Sequence, residues 1–259
     1  MIKLRDVLGI YVIKATQTTK TMNKARTIFT IVFLTLYLPL FAIKTADFGG
    51  ESFTYRIRYG LITGGEVKLK ANKSGVKSEP TIHVKVDMYT TGLVDNIYHL
   101  HDIFESELRT KDGLPVRFIR DAHEGKYVRW EQVDYYDNKV ESNLKGVYEV
   151  DGRYHDLISA VYALRCMDYN KMTVGRYTDI PIYYEEEIRK IRVFYQGVEE
   201  VKLNGKIYRC HKFAPVLSEV EMFEKKAPFI IWISDDKERK PVQIKVNFKV
   251  GSFKVELQE

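Results

Sequence analysis

Hydrophobic alternation with a period of two sets the strongest limit on what this chain can fold into. The segment FTYRIRYG (53–60) places Phe53, Tyr55, Ile57 and Tyr59 on one side and Thr54, Arg56 and Arg58 on the other. EVKLKA (66–71) continues the pattern with Val67 and Leu69, and IHVKVDMY (82–89) with Ile82, Val84, Val86 and Met88. RKIRVFY (189–195), VQIKVNFKV (242–250) and SFKVEL (252–257) repeat it late in the chain. Successive side chains of a strand point to opposite faces, so each run makes a strand with one dry and one wet face. A wet face implies antiparallel pairing, because parallel sheets are covered on both sides. The 18 Tyr and 13 Phe residues suit such a half-buried pleated surface.

Punctuation between the runs supports this reading. Gly64–Gly65 and Asn204–Gly205 read as tight hairpin turns. Lys111–Asp112–Gly113 and Asp137–Asn138–Lys139 separate further runs. No Pro/Gly-rich linker divides the chain after residue 50. The expectation is mainly β: a single domain over 47–259, formed by one curved antiparallel sheet of about ten to twelve strands, a half-barrel or barrel. HDLISAVYALRCM breaks the pattern, with Leu157, Ile158, Val161 and Leu164 at helical spacing. Asp156 is placed to cap its first turn and Arg165 to meet the negative end of its dipole, which predicts one helix at about 156–167.

Residues 28–42, IFTIVFLTLYLPLFA, form an uncharged apolar run of 15 residues, preceded by Lys24 and Arg26 and closed by small Ala42. A spanning helix needs about 20 apolar residues. A short run behind basic residues reads as a secretory signal peptide over 22–42. Met22 opens a well-proportioned leader by itself, so residues 1–21 read as a start-site artefact, with 1–46 as leader and short linker. The alternative is an uncleaved anchor, the one route by which a membrane would be a partner. Export to the periplasm or beyond places Cys166 and Cys210 in an oxidising compartment, where they form one bridge or remain two buried thiols.

The net charge of +6 belongs to the leader. Six of the 41 basic residues and one of the 35 acidic residues fall within 1–42, which leaves 35 against 34, well interspersed. A nucleic-acid binder needs a clustered basic surface, so nucleic acid is not an expected partner.

Five separated segments, YRIRYGLITGGE (55–66), LPVRFIRDAHEGKY (114–127), HDLISAVYALR (155–165), YRCHKFAPV (208–216) and IWISDDKERKPVQIKVNFKVGSFKVEL (231–257), resemble exported bacterial proteins grouped as domain-of-unknown-function family 3108. The resemblance implies a secreted or periplasmic protein of a Gram-negative bacterium and brings no catalytic residues. A weaker, fold-level likeness is to periplasmic lipoprotein carriers, in which helices plug the hollow face of a half-barrel. The likeness gives the helix at 156–167 the part of the plug.

Several residues invite a functional reading. His99 and His101 form an H-x-H on a predicted strand, where both imidazoles point the same way. A metal centre needs a third ligand, and the donors His83, His123 and His155 cannot be brought near by sequence, so two solvent-facing histidines are the simpler reading and no metal or other cofactor is expected. Asp156, Ser159, Tyr162 and Arg165 form a slanted polar line on the helix, either a rim for a ligand head group or a cap, a solvent face and a terminal cation. Tyr127, Trp130, Tyr135, Tyr136, Phe229 and Trp232 line a cavity or fill a core. The cavity or helix-rim candidates are therefore Tyr127, Trp130, Asp156, Tyr162, Arg165 and Trp232. Glu185–Glu187 reads as a solvated strand end, and Asp235–Asp236 with Lys237, Arg239 and Lys240 as a charged turn. Phosphate-loop, dinucleotide, nucleophile-elbow and zinc-protease motifs are missing from the sequence.

The expectation is a non-catalytic exported protein that binds an apolar ligand, a lipid or lipoprotein acyl chain, in a curved sheet. The alternatives are a scaffold module that binds another envelope protein and an enzyme of unknown type.

Overall fold

The computed structural model describes residues 48–258 apart from Lys77, 218–228 and 249–250, so the leader and its proposed start site lie outside the described residues. Among the described residues fourteen strands form one sheet. Eight come first: β1 (Ser52–Tyr59), β2 (Ile62–Val76), β3 (Glu79–Thr90), β4 (Leu100–Arg109), β5 (Pro115–Glu124), β6 (Tyr127–Tyr135), β7 (Lys139–Ser142) and β8 (Gly146–Glu149). Six follow: β9 (Tyr177–Tyr184), β10 (Glu187–Leu203), β11 (Lys206–Leu217), β12 (Phe229–Ser234), β13 (Pro241–Phe248) and β14 (Gly251–Gln258). Helix α1 (Gly92–Ile97) joins β3 to β4, and α2 (Leu157–Cys166) with a short 3-10 turn (Tyr169–Lys171) joins β8 to β9.

The spatial order is β8-β7-β6-β5-β4-β3-β2-β1-β14-β13-β12-β11-β10-β9, antiparallel throughout and not closed. From β1 at the centre the chain meanders outward to the β8 edge, crosses by α2, and meanders back from the β9 edge until β14 pairs with β1. Residues from both halves pack on α2: Ile158 and Tyr162 join Val84, Phe118 and Val133, whereas Ala160 and Leu164 join Ile182, Val193, Phe213 and Ile231. A sheet whose two halves meet the same helix must curl around it. The edges are blunted. β8 has four residues, β9 carries Pro181, and His155 bridges in parallel to Ile182 along the outer side of β9.

Sequence and structure differ at several points. The strand count exceeds the expected ten to twelve because β7 and β8, of four residues each, are too short for alternation to register. Helix α1 was not expected, since none of its six residues is buried and no core stripe marks it. Asn204 (φ 51°) and Gly205 (φ 80°) form the expected hairpin turn. Gly64–Gly65 do not turn the chain; that occurs at Gly60 (φ 57°) and Leu61, and both glycines lie inside β2. A Cβ on Gly65 would stand 2.7 Å from the Tyr89 carbonyl oxygen, and the β1–β2 register shifts there at Ile57/Arg58. These glycines allow close backbone approach at a bulge rather than reversal. No disulfide joins Cys166 to Cys210, and Cys210 is fully buried.

Helix α2 is buried on its polar line as well as on its apolar one, against a simple amphipathic reading. Asp156, Ser159, Tyr162 and Arg165 are all buried. Asp156 caps the helix, its carboxylate accepting from the Ser159 amide (2.8 Å) and from the Ser106 hydroxyl of β4 (2.6 Å). At the other end Arg165, with 0% exposure, donates to the Glu51 carboxylate (2.9 Å) and to the carbonyls of Glu238 (3.0 Å) and Arg239 (2.8 Å). Arg239 returns the contact, donating to the carbonyls of Arg165 (2.9 Å) and Met167 (2.6 Å) at the helix C-terminus. The turn at 235–240 is therefore a clasp on α2 as well as a charged reversal.

Removing one partner of a buried, hydrogen-bonded charge strands the others. Arg165→Ala should lower the unfolding free energy by about 3–5 kcal/mol in a urea titration. Arg165→Lys should recover less than half, because an ammonium cannot span acceptors arranged for a guanidinium fork. Full stability of the Lys variant would contradict this role.

Candidate functional site

Helix α2 divides the hollow of the sheet unequally. On the β2–β7 side, Tyr162 packs edge-on against Phe48 with ring centres 5.0 Å apart, and the space left beside it is about 10 Å³. On the β9–β13 side the described residues leave a partly open cavity of about 560 Å³. Its helix wall is Leu157, Ala160, Val161 and Leu164, the apolar stripe that sequence spacing marks for a core, with Ala160 in place of Ile158. Its sheet wall is Ile180, Ile182, Ile191, Val193, Pro215, Phe229, Ile231 and Ile244. Volume and lining are those of sites that enclose small apolar ligands.

Among the described residues, polar groups reach this cavity from one place. Tyr184, Glu185 and Arg189 line it from the β9–β10 hairpin end. That hairpin is tied to the other half of the sheet by ion pairs. Glu186 lies 3.0 Å from Arg129 of β6 and 2.8 Å from Lys145, and Glu185 lies 3.6 Å from Arg120 of β5. Lys145, then Arg129, hold the Glu186 carboxyl below the usual carboxylate range against the effect of burial. Burial, with Glu185 adding, pushes the Tyr184 phenol up to about 12. Glu185–Glu187 is thus no freely solvated strand end, and Glu185 (φ 50°) and Glu186 (φ 65°) hold a turn that favours glycine or asparagine.

A second polar cluster went unmarked in the sequence. His211, buried, lies between the Tyr195 hydroxyl (2.8 Å to Nδ1) and Asp235 (3.0 Å to Nε2). With the Asp235 carboxylate accepting from Nε2–H, Nδ1 is left to accept from the Tyr195 O–H. Burial and the Asp235 charge raise the Tyr195 phenol, so the arrangement favours a held proton over an activated phenolate. Tyr169 covers the imidazole, its ring centre 4.1 Å away. The group joins β10, β11 and the 235–240 turn as a buried strut.

The structure separates the residues singled out by sequence. Asp156, Tyr162 and Arg165 lie together on the tightly packed side of α2 and do not line the cavity. Trp130 and Tyr127 are 50% and 46% exposed and do not line the cavity. Tyr135 is buried in the core beside Ile158 and Tyr162, and Tyr136 is exposed. Trp232 alternates with Ile231 and Ile233, so it points to the opposite face. There it packs with Val201, Leu203 and Cys210 while its indole N–H meets Glu199. Phe229 alone of the aromatic set reaches the cavity. His99 precedes β4 and contacts Asp95 (2.8 Å), whereas His101 contacts Asp87 (2.9 Å), so the two rings take separate carboxylates. Among the described residues no three His, Cys, Asp or Glu side chains converge as a metal site.

A family described as a protein of unknown function, DUF3108, matches residues 54–258. No curated protein matches. Among solved structures, a beta-barrel-like protein of domain of unknown function DUF1849 from Brucella abortus superposes with a TM-score of 0.54 at 11% sequence identity, over 80% of this chain and 95% of that one. At such identity the likeness is one of fold.

The helix entry gives a pH test. Burial lowers His155 from 6.5 to about 4 and raises Asp156 from 3.8 to about 6, the latter against hydrogen bonds from Ser106 and Ser159. As pH falls from 6.5 to 4, the unfolded chain protonates its histidine first, and the His155 contribution to stability is lost. Asp156 acts oppositely: the folded state takes its proton first, and stability is gained as pH falls from 6 towards 3.8. The two offset each other in the native protein. Asp156→Asn keeps a capping oxygen but removes the second effect. Its unfolding free energy should fall between pH 6.5 and 4 by roughly 2 kcal/mol more than that of the unaltered protein. Parallel pH profiles in urea titrations would contradict these assignments.

Proposed function

Since the chain belongs to the DUF3108 family of proteins of unknown function, we propose, from the cavity rather than from the family, that it is an exported, non-catalytic carrier of an apolar chain such as the acyl chain of a lipid or lipoprotein. The observation that supports this is the 560 Å³ space between α2 and β9–β13. Aliphatic walls of that extent forgo the gain of burial while they face water. Water can enter, but aliphatic walls offer it few hydrogen-bond partners. An acyl chain gains about 0.8 kcal/mol for each methylene buried, before the costs of ordering it. Export is supported by the leader at 22–42, and a periplasmic location fits an exported carrier.

A second reading has its own support. Leu61, Ile62, Leu93, Ile97 and Tyr98 are exposed around the β1–β2 turn and α1, and Val94 of α1 lies against Gly64 of β2. An exposed apolar group of this kind suits docking to another envelope protein.

A substitution inside the cavity separates the two. Ala160→Phe, directed into free space from the helix wall, should weaken binding of a fluorescent fatty acid at least tenfold while the melting temperature holds or rises. Unchanged probe affinity in a folded Ala160→Phe protein would remove the carrier reading and leave the docking surface.

A further inference from the structure

Resting on that acyl-chain reading, we propose that the bound chain ends in an anionic oxygen group, a carboxylate or a phosphate, held by Arg120, which adjoins the cavity-lining Glu185, together with Arg189 of the cavity wall. Arg120 occupies an inward position of β5, alternating with Phe118 and Ala122, and is only 8% exposed. Of the six buried side-chain polar atoms without a hydrogen-bond partner among the described residues, three are N–H groups of these two arginines: Nε and Nη1 of Arg120 and Nε of Arg189. Arg189 is likewise inward, alternating with Ile191 and Val193 along β10, and lines the cavity.

Buried guanidinium N–H groups are expected to have acceptors, and an unmet set is a standing cost. The native carboxylates supply part of the need. Arg120 Nη2 reaches Glu124 at 3.4 Å, and Nη1 approaches Glu185 at 3.6 Å, too long for a hydrogen bond. Arg189 Nη2 is taken by Glu187 at 2.7 Å. Glu131 and Glu186 are engaged by Arg129, and Glu186 also by Lys145. Glu185, half exposed on its strained turn, is the acceptor best able to move out to water. An oxygen anion arriving at the polar end of the cavity would take the place of Glu185 at Nη1 and satisfy Nε as well. Two oxygens on one centre match the guanidinium fork, which a neutral hydroxyl does not. Arg165, the other inward arginine at the helix, already has its N–H groups on Glu51 and two carbonyls and is not available.

Calorimetric titration of the full mature chain with decanoate, decyl phosphate and decanol tests this, each kept below its aggregation limit. Either anion should bind about tenfold more tightly than the alcohol of equal chain length. Arg120→Gln should bring that ratio towards one, and Glu185→Gln, which removes the competing carboxylate, should raise it threefold or more. Arg189→Gln gives a second reading should Arg120→Gln fail to fold, and the comparison of ligands on the unaltered protein requires no variant. Equal binding of anion and alcohol overturns the head-group assignment and leaves the cavity standing. No binding of any of the three overturns the cavity reading itself.

Discussion

The buried polar line on α2 holds the molecule together. An open sheet of fourteen strands has no intrinsic reason to curl around a single helix. Asp156 binds β4, His155 bridges to β9, and Arg165 binds the segment before β1 and the turn before β13. These contacts are directional and buried, so each is costly to break and tolerates little displacement. They fix the helix to the sheet at both ends and on both halves. The apolar stripe of α2 packs on β9–β12 and also borders a space that the side chains of the described residues leave open.

This explains what the sequence displayed and what it concealed. Alternation and turn chemistry are local, so the strands, the Asn204–Gly205 hairpin and the helix with its Asp156 cap were legible. The role of Gly64–Gly65 depends on Tyr89 and Ile57, which only the fold brings near. The side of α2 that packs tightly could not be read from its own residues, because a helix with polar and apolar lines defaults to polar outward. Only the anchors, at positions 51, 106 and 239, reverse that default. Arg239 in turn looked like one more charge in a solvated turn, although two of its contacts are the last carbonyls of the helix.

The candidate binding residues left a fainter trace. Alternation along VRFIRDA assigns Arg120 to the same face as Val116, Phe118 and Ala122, and along RKIRVFY it assigns Arg189 to the face of Ile191 and Val193. A charge at an inward position is a departure from the pattern that carries the fold, and such departures gather at functional or strained sites. Attention to aromatic residues pointed instead to Trp130 and Tyr127, which the outward phase of β6 and its turn leave in solvent. The cavity is aliphatic, formed by residue types indistinguishable from core until the gap between them is seen.

That gap, and what fills it, is the centre of the matter. Native mass spectrometry of the protein isolated from the cells that make it, without delipidation, reads the content directly. A population heavier than the bare chain by the mass of an acyl-bearing molecule, shed on collisional activation and depleted in Ala160→Phe, is the predicted result. A single species at the mass of the bare chain, from lipid-rich starting material, would contradict it.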